Sequence, residues 1–322
     1  MLNGQKVLIT GGLGFIGSTL AHRCLALGAQ VTVLDSLAPR GGGDPRNLQG
    51  TSALVVRGDI RDASVVRPLV QAADAIVHCA AATSHTGSLD APLESASVNL
   101  LGTLQLLEIA RADRPSVRFV QVSTSSQLGP IESTPATEDH PERPTDLYSA
   151  CKSGAEKTAL VYHVAHGMSV TSIRLPNVYG PRARLDVPGP SVAAFFIGRG
   201  AAGLALTVFR PGEQLRNFLF VDDAVDALVR ALIRPEVVGR VLQVAHDEHH
   251  SVLDFAHAVA AGIGGRVELV DWPAGHRRIE LGDVVLDNTR AREALGWRPA
   301  TSLGDGLART AAWLRARERG EA

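Results

Sequence analysis

The segment Lys6-Val-Leu-Ile-Thr10, with Gly11-Gly12-Leu13-Gly14-Phe15-Ile16-Gly17 directly behind it, constrains this chain more than any other. An aliphatic and β-branched run ends on two glycines. Apolar residues then recur at helical spacing from Phe15 and Ile16 through Leu20 to Leu27, closed by Gly28. That order predicts a strand, a tight turn and a helix. Gly11, Gly14 and Gly17 suit a turn that holds a pyrophosphate. One glycine permits the reversal, another lets backbone N–H groups approach the phosphates, and a third lets helix and strand pack closely, while the helix N-terminus favours negative charge.

The next buried run, residues 31–35, closes on Asp35, 18 residues after Gly17. A carboxylate there accepts hydrogen bonds from both hydroxyls of an adenosine ribose and repels a 2′-phosphate, which selects NAD over NADP. Strand-like runs return at 54–59, 75–78, 118–122 and 170–174. Their alternation with helical segments predicts an α/β chain with a Rossmann-type, doubly wound parallel sheet covered on both faces. The glycine- and proline-bearing stretch 38–50 reads as a surface loop. After Arg174, Pro176, Pro181, Pro188, Pro190 and Pro211 break the pattern around one helical stretch at 191–199, which predicts a smaller, interleaved α/β substrate-binding lobe. Residues 218–221, a helix at 222–234 and a strand at 241–244 read as a return to the sheet. The expected division is an NAD-binding domain of residues 1–174 and 216–246 and a lobe of residues 175–215 and 247–322.

Composition narrows the partners. Among 322 residues, 32 Lys+Arg against 33 Asp+Glu leave a formal charge of -1, so no basic field favours nucleic acid. Cys24, Cys79 and Cys151 show no CxxC spacing, which indicates neither a disulfide framework nor a zinc site and points to a reducing cytoplasm. No apolar run reaches the roughly 18 residues of a membrane span, and no segment reads as an export signal. The histidines, including those from His246 to His250, lack a metal-ligand geometry, so no metal is expected.

Further motifs follow in a fixed order: Gly58-Asp59-Ile60, His78-Cys-Ala-Ala81, Asn99 in VNLLGT, Ser123-Thr124, Tyr148-Ser-Ala-Cys-Lys152, Asn177-Val-Tyr-Gly-Pro-Arg182, Gln214-Leu-Arg216 before FVDDAVDA, and Ala294-Leu-Gly-Trp-Arg-Pro299. With the glycine turn they resemble the extended short-chain dehydrogenase/reductase family, in its NAD-dependent nucleotide-sugar epimerase/dehydratase branch. The resemblance implies that Gly11, Gly14, Phe15, Ile16, Gly17, Asp35 and Ser36 bind NAD. It implies too that Asp59 and Ile60 flank the adenine and that Ala80, Ala81, Thr83 and Asn99 lie along the cofactor. A homodimer built on helices at 93–109 and 147–166 is implied as well.

Residues 147–166 have helical spacing up to Gly167, which sets Tyr148 and Lys152 i and i+4 on one face. A tyrosine near pKa ~10 is a poor base at neutral pH, and a nearby ammonium, with the positive nicotinamide ring, favours its phenolate. Tyr148 then removes a sugar hydroxyl proton as hydride leaves the same carbon, and Lys152 also holds the nicotinamide ribose. By resemblance, Thr124 bonds the reacting sugar oxygen. Family 4,6-dehydratases carry Asp-Glu at the next two positions, where this chain has Ser125-Ser126. Hydroxyls do not supply the acid and base that eliminating water needs, so oxidation and re-reduction is the expected chemistry. Leu128 is a further departure, from a tyrosine in many relatives.

On the substrate side the resemblance assigns Arg216 and either Arg277 or Arg278 to a nucleotide diphosphate, and Asn177 to the nucleotide or sugar. Asn217 and Arg210-Pro211 depart from the family pattern there. His85 is either a partner of a sugar hydroxyl or a plain loop histidine. Ser125 and Ser126 border the sugar, and Arg182 or Arg184 suits a uronic-acid carboxylate. The expected function is an NAD-dependent epimerase of a nucleotide-diphosphate sugar, inverting C4 through a 4-keto intermediate with Tyr148 as acid/base. The alternatives are a dehydratase, decarboxylase or ketoreductase of the same family and, in another class, a non-catalytic NAD sensor or scaffold on this fold.

Overall fold

The computed structural model describes residues 2–39, 41–186, 191–273 and 280–320. Its first half runs β1 (Lys6–Thr10), α1 (Phe15–Ala26), β2 (Gln30–Asp35), β3 (Leu54–Arg57), α2 (Ala63–Ala72), β4 (Ala75–His78), α3 (His85–Asp90), α4 (Pro92–Ala96), α5 (Gly102–Asp113), β5 (Arg118–Thr124), α6 (Leu147–His166) and β6 (Ser169–Leu175). The second half runs β7 (Asn177–Tyr179), α7 (Val192–Ala201), β8 (Ala205–Phe209), β9 (Leu215–Arg216), β10 (Phe218–Phe220), α8 (Val221–Ile233), β11 (Val241–Gln243), β12 (His250–Ser251), α9 (Val252–Gly262), β13 (Arg266–Val270), α10 (Thr289–Leu295) and α11 (Leu303–Glu318).

Seven strands pair in the order β3-β2-β1-β4-β5-β6-β11, every neighbouring pair parallel. Alternate residues of the strands serve opposite faces. Val7, Ile9 and Val33 pack with Leu20 of α1 and Leu228 of α8, and Leu8, Leu34 and Ile76 pack with Val66 of α2, Leu106 of α5 and Ala159 of α6. Each such side chain contributes roughly 1.5–3 kcal/mol by leaving water. Strand order reverses between β1 and β4, so the crevice beyond Thr10 and His78 is the place where an α/β sheet binds its ligand.

Pro176 follows β6 and has no N–H to give a sheet, so the chain leaves it there and restarts as β7. Residues 218–220 pair with β7 outside the seven-stranded sheet, which corrects the expected return, whereas β11 does rejoin it beside β6. The core continues from α8 into Phe196, Val208 and Phe255, and the Phe218 and Phe255 rings stack at 3.8 Å. Residues 93–109, expected as one helix, form α4, a π turn at Ser97–Leu101 and α5. Single π turns of this kind concentrate at functional sites, and this one carries Asn99. Among the described residues no helix is long and apolar enough to cross a membrane.

Candidate active site

β1 delivers the glycine turn at its carboxyl end. Gly11 has φ of 66°, and a Cβ there would lie 2.8 Å from the Ala80 backbone; on Gly17 it would lie 2.3 Å from the Gly11 carbonyl oxygen. Any side chain at either position forces strand, turn and helix apart. Gly14 precedes α1, whose first turn, with Phe15 and Ile16, has no side-chain cap. Its backbone N–H groups are therefore available to an anion. The Asp35 carboxylate accepts from the Leu13 N–H at 3.1 Å and the Leu37 N–H at 2.9 Å, which fixes it beside the turn with exposed Ser36 next to it. Part of the expected surface loop 38–50 folds down here, with the Asp44 N–H and Asn47 Nδ2 donating to the Leu13 carbonyl at 3.0 and 3.1 Å. Asp59 is held by Arg61 at 2.7 Å, and Ile60 is buried against Gly102.

A buried polar chain holds the segment of Ala80, Ala81 and exposed Thr83 against this turn. Asn99 accepts from the Ala82 N–H at 2.9 Å and donates to the Ala82 carbonyl at 3.0 Å, which makes its amide a fixture of that segment. Thr103 Oγ1 donates to the Asn99 carbonyl at 2.7 Å and so accepts from His78 Nε2 at 2.9 Å. His78 Nδ1, left without a proton, accepts from Thr10 Oγ1 at 2.7 Å, and Thr10 Oγ1 accepts from the Ala80 N–H at 3.3 Å. Sequence reasoning gave His78 no role, because a histidine closing an aliphatic strand carries no periodic signal.

Burial, with the Lys152 ammonium adding to it, pushes the His78 imidazole down to about 3 from 6.5. Between those values the unfolded chain binds a proton that the folded chain does not. Stability from this group is therefore full above pH 6.5 and is lost as pH falls towards 3, by at most about 1.4 kcal/mol per pH unit. Urea unfolding from pH 7 to 4 is expected to show that slope, and His78→Gln to flatten it. An equal slope in both proteins would refute the assignment.

α6 begins at Asp146, whose carboxylate accepts from the Ser149 N–H at 2.9 Å, and ends on Gly167 at φ 68°. Tyr148 and Lys152 sit one turn apart on the face packed against β5. Lys152 Nζ donates to the Val122 carbonyl at 2.6 Å, and the Thr124 hydroxyl favours the ionised form of the Tyr148 phenol. Burial pushes Lys152 down to about 8, opposed by Cys79 and Glu156, and pushes Tyr148 up to about 12, opposed by Thr124. In the chain alone Lys152 is drawn to a carbonyl, and the loss of water dominates the phenol.

Ser126 Oγ lies 3.0 Å from Thr124 Oγ1 and 2.9 Å from Ser149 Oγ, with Ser125 buried in the same turn. His85 lies beside Tyr148: Nδ1 is 2.8 Å from Asp146 Oδ2, and the ring stands edge-on to Tyr148 at 5.0 Å. Asp146 and Ser149 were not singled out in the sequence, although Asp-x-x-Ser before an apolar run is a helix-capping pattern.

The remaining candidates have contacts of their own. Asn177 Nδ2 donates to the Asn217 carbonyl at 3.3 Å. Arg184 pairs with Asp186 and donates to the Gly41 and Gly43 carbonyls at 3.2 and 3.3 Å, so it belongs with the loop beside Asp35. Arg216 is engaged by Glu280 and by the Gly282 carbonyl. Arg277 and Arg278 lie outside the described residues.

Residues 7–245 match the model of the NAD dependent epimerase/dehydratase family. The chain belongs to that family. It is 36% identical over 319 residues to the UDP-glucose 4-epimerase of Mycolicibacterium smegmatis, across 97% of this chain and 99% of the relative. It is 34% identical to a dTDP-glucose 4,6-dehydratase of an Actinoplanes species, across 97% and 98%. The structure of Thermus thermophilus UDP-glucose 4-epimerase in complex with NAD matches with a TM-score of 0.86 at 32% identity, over 96% of this chain and 99% of that one.

The cofactor of this NAD dependent epimerase/dehydratase family member is NAD. The residues present fit it. Backbone fills the space that side chains on Gly11 and Gly17 would need, the start of α1 is uncapped, and a fixed carboxylate closes β2. NAD, when bound, supplies a hydride acceptor. The chain itself supplies a phenol, an ammonium and three clustered hydroxyls at the end of β5.

Proposed function

We propose that this family member is a nucleotide-sugar epimerase that inverts C4. The observation that carries the reading is the turn after β5, where Ser125 and Ser126 follow Thr124 and the hydroxyls of Thr124 and Ser126 bond each other. This turn offers hydroxyls and no carboxyl. It can orient a sugar oxygen but lacks the acid and base for removing water. In this reading Thr124 and Ser126 orient the reacting hydroxyl, Tyr148 takes its proton, and Lys152, fixed on the Val122 carbonyl, keeps positive charge beside the developing phenolate. Gly11, Gly14, Phe15, Ile16 and Gly17 hold the diphosphate of NAD, and Asp35 and Ser36 its adenosine ribose. Asp59 and Ile60 flank the adenine, with Ala80, Ala81 and Thr83 along the middle. Asn177 and Arg216 face the nucleotide of the substrate. Re-reduction on the other face requires the 4-keto sugar to turn over, which a loosely held sugar on a tightly held diphosphate allows. The likeness to a UDP-glucose 4-epimerase supports the same reading.

The test is proton NMR of the purified protein with UDP-, GDP-, CDP- and dTDP-sugars and no added cofactor. A mixture of two C4 epimers is expected. A stable keto product would replace this reading by the dehydratase one, which the acid–base pair of His85 and Asp146 beside Tyr148 favours. NAD released on denaturation, with no sugar changed, would move the chain to the sensor class.

We also propose a homodimer. Leu93 of α4 is 84% exposed and Val164 of α6 is 83% exposed, and Leu101 and Val161 stand out of the same pair of helical segments. A second copy covering this face would form a four-helix contact. Light scattering at micromolar concentration is expected to give twice the chain mass, and Val164→Glu to give the mass of one chain. A single-chain mass for the unaltered protein would end the proposal.

A further inference from the structure

His85 and Asp146 are 61 positions apart in sequence and meet beside the Tyr148 ring. Asp146 is buried at the start of α6, where its carboxylate accepts from the Ser149 N–H at 2.9 Å and from Ser149 Oγ at 2.9 Å. Those two bonds fix its orientation. An ionised carboxylate only accepts, so the nitrogen that faces it, His85 Nδ1, carries the proton. In the neutral ring the lone pair is then on Nε2, on the opposite edge. Nε2 has no protein partner among the described residues, and the His85 side chain is 45% exposed. A carboxylate that holds one imidazole nitrogen and leaves the other free is the arrangement that makes histidine a general base.

We propose that His85, oriented by Asp146, is a second acid–base residue of the sugar site and exchanges the proton on a carbon next to C4 while C4 is a ketone. This rests on the reading of the chain as an enzyme that passes through a 4-keto sugar. The chemistry needs no further reagent. A C–H bond beside a carbonyl is acidic. His85 Nε2 takes that proton, the C–H electron pair becomes a carbon–carbon double bond, and the carbonyl oxygen takes the charge as an enolate, bonded by the Thr124 or Ser126 hydroxyl. Return of a proton from Nε2 to the same carbon restores the ketone. The serines at 125 and 126 leave the end of β5 without a carboxyl base, and His85 supplies one from α3 instead.

Two measurements test this on the NAD-loaded protein. The first runs the nucleotide-sugar panel in D2O and counts deuterium on the carbons adjacent to C4 per C4 inversion. Incorporation is expected in the unaltered protein, and His85→Gln is expected to lower the ratio at least tenfold, whatever happens to turnover. A merely structural role would slow both processes together and leave the ratio unchanged, which would overturn the proposal; so would inversion with no deuterium. A stable keto product carrying deuterium would retire the epimerase reading and keep His85 as the base. The second measurement needs no sugar. In 15N-histidine NMR at pH 8, the signal missing from His85→Gln is expected to show the Nδ1–H tautomer, and Asp146→Asn, which still caps α6, is expected to shift it towards Nε2–H. A Nε2–H tautomer in the unaltered protein overturns the proposal even if every sugar is refused.

Discussion

Tyr148→Phe is expected to fold, to retain NAD and to lose turnover by about 10³-fold, within the 10²–10⁴ range for a lost acid–base group. The phenol is buried and pushed up to about 12, so it is a strong base only once its proton has left. The Thr124 hydroxyl stabilises that form, and the Lys152 ammonium at the Val122 carbonyl lies one turn further along α6. Phenylalanine keeps the ring and its edge contact with His85 and removes only the atom that carries the proton. The fold loses one polar atom, and stability is expected to change by no more than about 1 kcal/mol. Turnover from the sugar NMR signals, NAD released on denaturation and the melting temperature separate these effects. A variant with more than a tenth of the parent turnover would remove Tyr148 from the chemistry.

The parts of this site legible in the sequence are those made by neighbours along the chain. The glycine turn and Asp35 were readable because strand, turn and helix are consecutive and two of the glycines are demanded by backbone contact. Tyr148 and Lys152 were readable because i and i+4 share a helix face. The pairing of His85 with Asp146 was not, since it joins two loop-to-helix junctions that only the packing of α3 against α6 brings together. The π turn that carries Asn99 left no periodic trace, because its five residues are as apolar as a helix would be. The burial of Tyr148 was not legible for a different reason. Sequence spacing gives the distance between charges, whereas burial, which dominates here, is a property of the whole fold. Arg184, offered to a sugar carboxylate, is held by carbonyls of the loop at 41–43 that no motif marks.

Glu156→Ala is expected to lower the unfolding free energy by roughly 3–5 kcal/mol, the usual result of stripping one partner from a buried ion pair. Glu156 and Arg174 are 1% and 3% exposed. Arg174 donates to Glu156 through Nε at 3.0 Å and Nη2 at 2.5 Å, while Gln127 Nε2 and Ser172 Oγ donate to the same carboxylate at 2.7 Å each. Alanine takes the acceptor from Arg174 Nε, Gln127 Nε2 and Ser172 Oγ, all buried. Arg174 keeps Glu142 at 2.6 Å and the Glu138 carbonyl at 3.1 Å, which puts the loss towards the lower end. Arg174→Met is expected to cost as much, because it leaves Glu156 charged and buried. Combining it with Glu156→Met should recover about half of the loss, since two apolar side chains no longer require ionic partners. The same network reaches the chemistry. Ser123 Oγ donates to Gln127 Oε1 at 2.8 Å, and Ser123 precedes Thr124, so turnover of Glu156→Ala should fall even well below its melting temperature. Urea unfolding and turnover at 25 °C check both claims. A loss under about 1 kcal/mol would mean that the pair only fills space beneath β5, and the position of Thr124 would then have to be set by the turn alone.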